Sequence, residues 1–397
     1  MDAHPVGGGQ GVTFPLGFRA AGVPAGQKST GAPDLALVVN DGPQITAAAV
    51  FTPNRFAAAP VQWSKAVMAS GVTPRVVVLN SGGANACTGA PGFEDSKTTA
   101  QRVASVLRTR ANEVLVASTG LIGKPLVMPP LLAGVDAAAA ALSTDGGPQA
   151  AEAIITTDTH SKTTQGEVNG WRVGGMVKGA GMIAPALATL LVVVTTDALV
   201  DNETAQRALT AAADLSFNRI DVDGCMSTND TLILLASGAS GIRPSEEELT
   251  VALAKACYDL SLQVIGDAEG ASHDIEITVA GAVTEQAALE AARVIGRNNL
   301  FKCAIFGNDP NWGRAVAALG TLSEAQCPYD ATQVDVSFNG VKVCIGGGVG
   351  EPRELVNLGQ DRRVKIVVDL HAGSEAATIY TNDLTYAYVE ENAEYPT

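Results

Sequence analysis

Short apolar segments alternate with amphipathic helical patterns through the first three quarters of the chain, and this alternation favours a layered α/β fold. Residues 75–80 (RVVVLN) and 113–118 (EVLVAS) are continuous apolar runs bounded by turn residues, which predicts two buried strands. Between them, residues 94–107 carry apolar side chains at helical spacing. We expect a helix there, with Asp95 or Ser96 as its N-cap.

The sequence pattern changes after about residue 280. Residues 251–267 and 286–296 are predicted helices, but β patterns dominate from there to residue 389. Residues 334–345 (VDVSFNGVKVCI) predict a β-hairpin, because Asn-Gly suits the two positive φ angles of a type I′ turn. The expected organisation is a large layered α/β domain over residues 1–280 and a smaller α+β domain over 281–397.

Composition and charge exclude several classes of protein. The formal charge is 26 − 41 = −15 without a run of lysine or arginine, so nucleic acid and anionic membranes are not expected partners. The N-terminal residues lack the basic and apolar regions of a signal peptide, and the longest apolar runs are too short to span a bilayer. Six scattered cysteines and four scattered histidines predict a cytoplasmic protein with reduced thiols and no metal site.

Familiar catalytic motifs are missing. The chain contains no GxSxG nucleophile elbow, no GxGxxG fingerprint and no GK[ST] phosphate-binding loop. The dispersed histidines do not indicate a Ser-His-Asp or Cys-His arrangement. An acyl-transfer site would therefore need another source of a general base.

Residues 176–198 (MVKGAGMIAPALATLLVVVTTDA) join a glycine-punctuated loop to an apolar strand, and Thr189 stands at the junction. One interpretation is an ordinary strand start, because threonine is β-branched. The other is that the Ala188–Thr189 bond is cut, which places a free α-amine beside the Thr189 hydroxyl. Such an amine has a pKa of about 7.7 to 8.0 and can serve as the base of a threonine nucleophile. This segment alone favours the ordinary strand start.

Motifs elsewhere in the chain favour cleavage at Ala188–Thr189 over an ordinary strand start. In order along the sequence, they resemble those of the ornithine acetyltransferase (glutamate N-acetyltransferase) family and together cover nearly the whole chain: STGLIG (118–123), TTDT (156–159), KGAGMIAPALAT (178–189), STNDT (227–231), DAEGAS (267–272), FGNDPNWGR (306–314) and NAEYPT (392–397). Several motifs in the same order are more specific than any one of them.

The resemblance implies a precursor that cleaves itself between Ala188 and Thr189, leaving an α chain (1–188) and a β chain (189–397) that assemble as α2β2. It implies an α-β-β-α sandwich that resembles N-terminal-nucleophile hydrolases in layout. The implied reaction, part of arginine biosynthesis, moves an acetyl group from N2-acetylornithine to L-glutamate through an acetyl-threonine, which yields ornithine and N-acetylglutamate. No cofactor is implied, and acetyl-CoA stays open as a second acetyl donor.

The resemblance also implies roles for particular residues. Thr189 is the nucleophile, and Thr119 and Gly120 form the oxyanion hole. The implied substrate-binding residues, besides Thr189, are Thr156, Lys178, Glu269, Asn392 and Thr397. Lys178 is suited to the substrate α-carboxylate, and Glu269 to the cationic end of ornithine.

Two alternatives stay open at this point. A self-processing amidase or aminopeptidase of the same layout would pass the acyl group to water instead of glutamate. An amino-acid-binding protein would remain one unprocessed chain of 40.5 kDa.

Overall fold

A computed structural model of the chain describes residues 9–184 and 190–394. It divides into two compact units. The first contains the residues up to Asn218 together with Cys225–Asp267, and the second contains Arg219–Gly224 together with the residues from Ala268 onward.

The first unit contains two sheets. The four-stranded sheet has the order β1-β2-β4-β5 and the five-stranded sheet the order β3-β9-β8-β7-β6. Only the pairs β4–β5 and β8–β9 are parallel. The elements are β1 (Phe18–Val23), β2 (Leu35–Asn40), β3 (Thr46–Phe51), α1 (Ala59–Ala69), β4 (Val76–Ser81), α2 (Gly89–Leu107), β5 (Val114–Thr119), α3 (Met128–Ala141), α4 (Gly147–Ile154), β6 (Lys162–Val168), β7 (Trp171–Lys178), β8 (Leu191–Thr196), α5 (Asn202–Asp214), β9 (Thr231–Ala236) and α6 (Glu246–Gly266).

The alternation of side chains along β2 and β4 explains the layers of this unit. Val38 and Val77 point to one face and share a core with Val193 of the other sheet. Their neighbours Leu37 and Val78 point to the opposite face and pack with the helices α2 and α3. Because α5 and α6 contact the five-stranded sheet, the order is helices, sheet, sheet, helices. The predicted α-β-β-α arrangement is confirmed.

Helix α6 begins five residues before the predicted start, because Ser245 and Glu248 form a capping box. By length and composition alone, it is also the one helix among the described residues that could span a membrane. However, its apolar residues Leu253, Leu260 and Val264 are fully buried, which is typical of a core helix.

Helix α2 shows where the helix prediction is wrong. It begins at Gly89, not at residue 94, so Asp95 and Ser96 lie inside the helix and neither is its N-cap. Pro91 is tolerated because the first-turn N–H groups have no intrahelical acceptor. The Ser96 hydroxyl is buried and donates to Gly92 O, a bond within the helix that an N-cap would not make.

The second unit is an α+β structure around a six-stranded sheet of order β13-β12-β11-β14-β10-β15. One face of this sheet shares a core with three helices. The elements are β10 (Asp274–Ala282), α7 (Glu285–Gly296), α8 (Asn299–Phe306), α9 (Trp312–Leu319), β11 (Asp335–Phe338), β12 (Val341–Ile345), β13 (Gly348–Val349), β14 (Arg363–Asp369), β15 (Glu375–Asn382) and α10 (Tyr386–Glu394).

Two features of this unit differ from the sequence-based expectation. The predicted boundary between residues 280 and 281 falls inside β10, which pairs with β14 and β15, so the unit begins earlier than expected. The β pattern predicted up to residue 389 is wrong from Tyr386 onward, because Thr385 accepts the Tyr388 N–H and a helix follows. The predicted hairpin is confirmed, with positive φ at Asn339 and Gly340.

Candidate functional site

The predicted oxyanion residues lie where β5 ends. Thr119 is paired with Ser81 of the neighbouring parallel strand, and the Gly83 N–H donates to Thr119 O at 3.0 Å. Gly120 has φ +131°, and a Cβ atom there would lie 2.5 Å from Gly83 N. Only glycine suits this turn, because any side chain would be strained and would collide with backbone.

Lys178, the last residue of β7, lies beside this turn. Its side chain is buried, and Nζ donates to Thr119 Oγ1 at 3.3 Å. Because the Thr119 hydroxyl accepts this bond, its own proton is still available to a third group. The structure thus brings together a predicted oxyanion residue and a predicted substrate-binding residue.

Lys162, Asp158 and Asp267 form a buried ion network, and the charge of Lys178 acts on its Asp158 carboxylate. Lys162 Nζ is 2.6 Å from Asp158 Oδ1 and 2.5 Å from Asp267 Oδ2, and all three side chains are almost fully buried. Burial alone would raise the pKa of Asp158, but the positive charges of Lys178 and Lys162, with the hydrogen bond from Lys162, lower it to about 2. Asp158 is therefore an anion in the interior of the first unit.

This network also holds backbone that carries predicted site residues. Asp158 Oδ2 accepts the N–H of Thr156 at 2.9 Å, and Oδ1 accepts the N–H of Gly179 at 2.6 Å. Thr156 is a predicted substrate contact, and Gly179 follows Lys178 directly. One carboxylate therefore fixes both segments relative to each other.

The loop before β9 makes a second set of buried contacts. Asn229 Nδ2 donates to Ser118 O at 2.8 Å and to Ala84 O at 2.6 Å. The next residue, Asp230, accepts the N–H of Leu190 at 3.1 Å through Oδ1. Complete burial raises the pKa of Asp230 well above its ordinary value, although the Leu190 N–H and Lys178 act in the opposite direction.

Sequence reasoning missed Lys162, Asp158, Asn229 and Asp230 as functional residues. Three of them lie within the motifs TTDT and STNDT, but no role was assigned to them. Nothing in the local sequence shows that Lys162 meets an aspartate 105 residues away.

Ala188, Thr189 and Thr397 lie outside the described residues. The nearest described residue after the predicted cut is Leu190, which is buried at the entrance of β8. Its N–H is bound by Asp230, and its carbonyl oxygen accepts the Thr231 N–H at 3.0 Å. Both polar backbone groups of this residue are thus held by two consecutive residues, the last of the loop before β9 and the first of β9.

In the second unit, two predicted substrate-binding residues meet. Asn392 of α10 donates through Nδ2 to Glu269 Oε2 at 3.0 Å. The turn that carries Glu269 lies against the helix so closely that a Cβ atom on Gly270 would be 2.2 Å from Tyr388 N. Glu269 is buried, and the Asn392 amide that it accepts is uncharged. Its carboxylate is suited to accept an ammonium group.

No group of three or more histidine, cysteine, aspartate or glutamate side chains could hold a metal ion within residues 9–184 and 190–394. The cysteines in this part of the chain are free thiols.

The chain is similar to known proteins over nearly its full length. The sequence model of the ArgJ family matches residues 19–397. The arginine biosynthesis bifunctional protein ArgJ of Streptomyces avermitilis is 57% identical over 384 residues, which cover 97% of this chain and 99% of that protein. The protein of the same name from Bifidobacterium longum is 56% identical over 389 residues, with 97% and 99% covered. A solved structure of ornithine acetyltransferase from Mycobacterium tuberculosis, complexed with ornithine, is 52% identical with a TM-score of 0.44, and covers 46% of this chain and 96% of that chain.

Proposed function

The chain belongs to the ArgJ family, and from this premise we propose that it is a glutamate N-acetyltransferase of arginine biosynthesis. It moves an acetyl group from N2-acetylornithine to L-glutamate, with Thr189 as the nucleophile. The observation that supports this most directly is the buried contact between Lys178 and Thr119, because it joins a cation to a hydroxyl whose proton is free to donate.

The nucleophile is produced by self-cleavage. Thr189 Oγ attacks the carbonyl carbon of Ala188, the bond from that carbon to the Thr189 nitrogen breaks, and the nitrogen takes up the hydroxyl proton. Water then hydrolyses the resulting ester. The products are an α chain that ends in a carboxylate at Ala188 and a β chain that begins with the free amine of Thr189.

Acetyl transfer uses the new amine as its base. The amine takes the proton of the Thr189 hydroxyl while Oγ attacks the acetyl carbonyl. The Thr119 hydroxyl and the Gly120 N–H donate to the oxyanion, and one such donor contributes about 2.7–4 kcal/mol in other enzymes. The carbon–nitrogen bond of acetylornithine then breaks, and the leaving nitrogen takes the proton back from the Thr189 ammonium group.

Glutamate completes the cycle by the reverse steps. Its neutral α-amine attacks the acetyl ester, the oxyanion forms on the same donors, and N-acetylglutamate leaves Thr189 free. Lys178 is the proposed clamp for the α-carboxylate that both amino acids carry. Thr156 and Thr397 are proposed further contacts. Glu269 with Asn392 is the proposed acceptor for the ammonium group of ornithine.

A two-arm assay tests this proposal. The purified protein is incubated with N2-acetylornithine, with and without glutamate, and both ornithine and N-acetylglutamate are measured. A transferase releases ornithine continuously only when glutamate is present, in equal amounts with N-acetylglutamate. Equal ornithine release without glutamate would instead identify the amidase or aminopeptidase alternative, in which water accepts the acetyl group.

Two further properties belong to this proposal. The processed chains assemble as α2β2 in the cytoplasm, and the native mass of the purified protein tests the assembly. Acetyl-CoA is a candidate second donor, since two relatives of this chain that are 56–57% identical to it are named bifunctional. Formation of N-acetylglutamate from acetyl-CoA and glutamate, without acetylornithine, decides that question.

A further inference from the structure

Asp230 is a buried carboxyl group that binds the residue directly after the proposed nucleophile in sequence. Its side chain is 0% exposed, and Oδ1 accepts the Leu190 N–H at 3.1 Å. The Leu190 nitrogen is bonded to the carbonyl carbon of residue 189. The carboxyl group of Asp230 therefore binds the peptide group that joins Thr189 to the strand β8.

Asn229, the residue before Asp230, binds the backbone around the proposed oxyanion turn. Asn229 binds the carbonyl oxygens of Ser118 and Ala84, which flank the turn that contains Thr119 and Gly120. Consecutive side chains of one loop thus bind the end of β5 in one sheet and the entrance of β8 in the other. This loop therefore fixes Leu190 relative to the end of β5.

We propose that Asp230 is the positioning residue for Thr189: through the Leu190 N–H it fixes the nucleophile relative to the oxyanion turn, during self-cleavage and during acetyl transfer. This inference rests on the proposed function and assigns a residue that acts through a peptide group instead of touching the substrate.

The surroundings of Asp230 act on its carboxyl group in opposite directions. The titratable groups that face it are Lys178 from β7 and Cys225 from the loop before β9. Burial raises its pKa well above the ordinary value, whereas the Leu190 N–H, Lys178 and the Ser227 hydroxyl lower it. What the Leu190 N–H requires is an acceptor oxygen at this position, and asparagine keeps one of the same reach.

The test compares three variants with the wild-type protein. Asp230→Ala removes the acceptor, Asp230→Asn keeps it, and Asp197→Ala is the matched control. Asp197 is equally buried at the opposite end of β8 and accepts the backbone N–H groups of Leu16 and Arg172 at 3.0 and 2.7 Å. The readouts are the rate of precursor splitting in newly made protein and, for the split fraction, kcat and KM for acetylornithine.

Asp230→Ala should slow splitting and kcat by about 100-fold while KM changes by less than about twofold, because a misplacement of about 1 Å has that effect on a reacting group. In Asp230→Asn, the splitting rate and kcat should both stay within about fivefold of the wild-type values. Asp197→Ala should unfold more easily but split and turn over normally once folded. If Asp230→Ala yields no folded precursor, Asp230→Ser replaces it, since its shorter side chain leaves room for water without reaching Leu190.

Wild-type rates in Asp230→Ala, or equal slowing in Asp197→Ala, would overturn the inference. Asp230→Asn as slow as Asp230→Ala would also overturn it, because the acceptor oxygen alone would then not position Thr189. The proposed function is judged separately, because it fails only if the wild-type protein itself does not split or does not transfer acetyl groups.

Discussion

The buried network around Lys162 makes the sharpest prediction about stability. In Lys162→Met, the carboxylates of Asp158 and Asp267 lose the cation that lies 2.6 and 2.5 Å from them. Methionine fills a similar volume, so the change removes charge more than packing. The two carboxyl groups then remain in the interior without the cation that they share, and Asp158 keeps only the more distant charge of Lys178.

Breaking a buried ion pair by removing one partner costs about 3–5 kcal/mol. Lys162 and Asp158 are both 0% exposed, so screening by water does not reduce this value. With a urea m-value of about 3 kcal/mol/M, the unfolding midpoint should fall by about 1 to 1.7 M.

Urea titration at pH 7 measures this shift through tryptophan fluorescence, because Trp171 is buried at the start of β7 in the same unit. The matched control is Arg207→Met, whose partner Glu246 is also exposed to solvent. An exposed pair contributes about 0–1 kcal/mol. A midpoint shift in Lys162→Met no larger than that in Arg207→Met would refute the reasoning. The triple variant with Asp158→Asn and Asp267→Asn should regain much of the loss, because neither carboxylate is then left without Lys162.

Three other outcomes are expected. The pKa of Asp158 is about 2 when folded, below its ordinary value of 3.8, so its anion stabilises the first unit by about 2 kcal/mol above pH 4. That contribution should disappear as the pH falls from 4 to 2, and urea midpoints of Asp158→Asn should lack this part of the decline. Thr119→Val keeps the side-chain shape but loses the hydroxyl, so kcat should fall by about 10²–10³ in steady-state assays. An unchanged kcat would remove Thr119 from the oxyanion hole. Glu269→Gln should raise KM for acetylornithine far more than KM for glutamate, and equal effects on both would contradict its role with the ammonium group.

The fold could be predicted wherever the local pattern is decisive. The runs at β4, β5 and β9 are continuous and apolar, and Asn339-Gly340 dictates its turn. The helix α10 could not be recognised, because its first residues, Tyr-Ala-Tyr-Val, are typical of a strand, and the Thr385 bond that starts the helix is not visible as a pattern.

In the candidate site, too, some features could be predicted from the sequence and others could not. Thr119, Gly120 and Lys178 were identified from motifs of a known family, not from their own spacing. The contacts that hold them depend on pairs far apart in sequence. Asp230 and Leu190 are separated by 40 residues, and Asn229 and Ser118 by 111. The spacing of apolar residues along the sequence cannot predict such contacts. The residues meet only because the two sheets pack together.

The most direct test of the account is the intact mass of the denatured protein after mixing with N2-acetylornithine and no glutamate. The account predicts two chains, of which the one beginning Thr-Leu-Leu-Val-Val gains the mass of one acetyl group, and this gain disappears when glutamate is added. A single unsplit chain of 40.5 kDa, or a split protein that makes N-acetylglutamate without ever carrying the acetyl group, would contradict it.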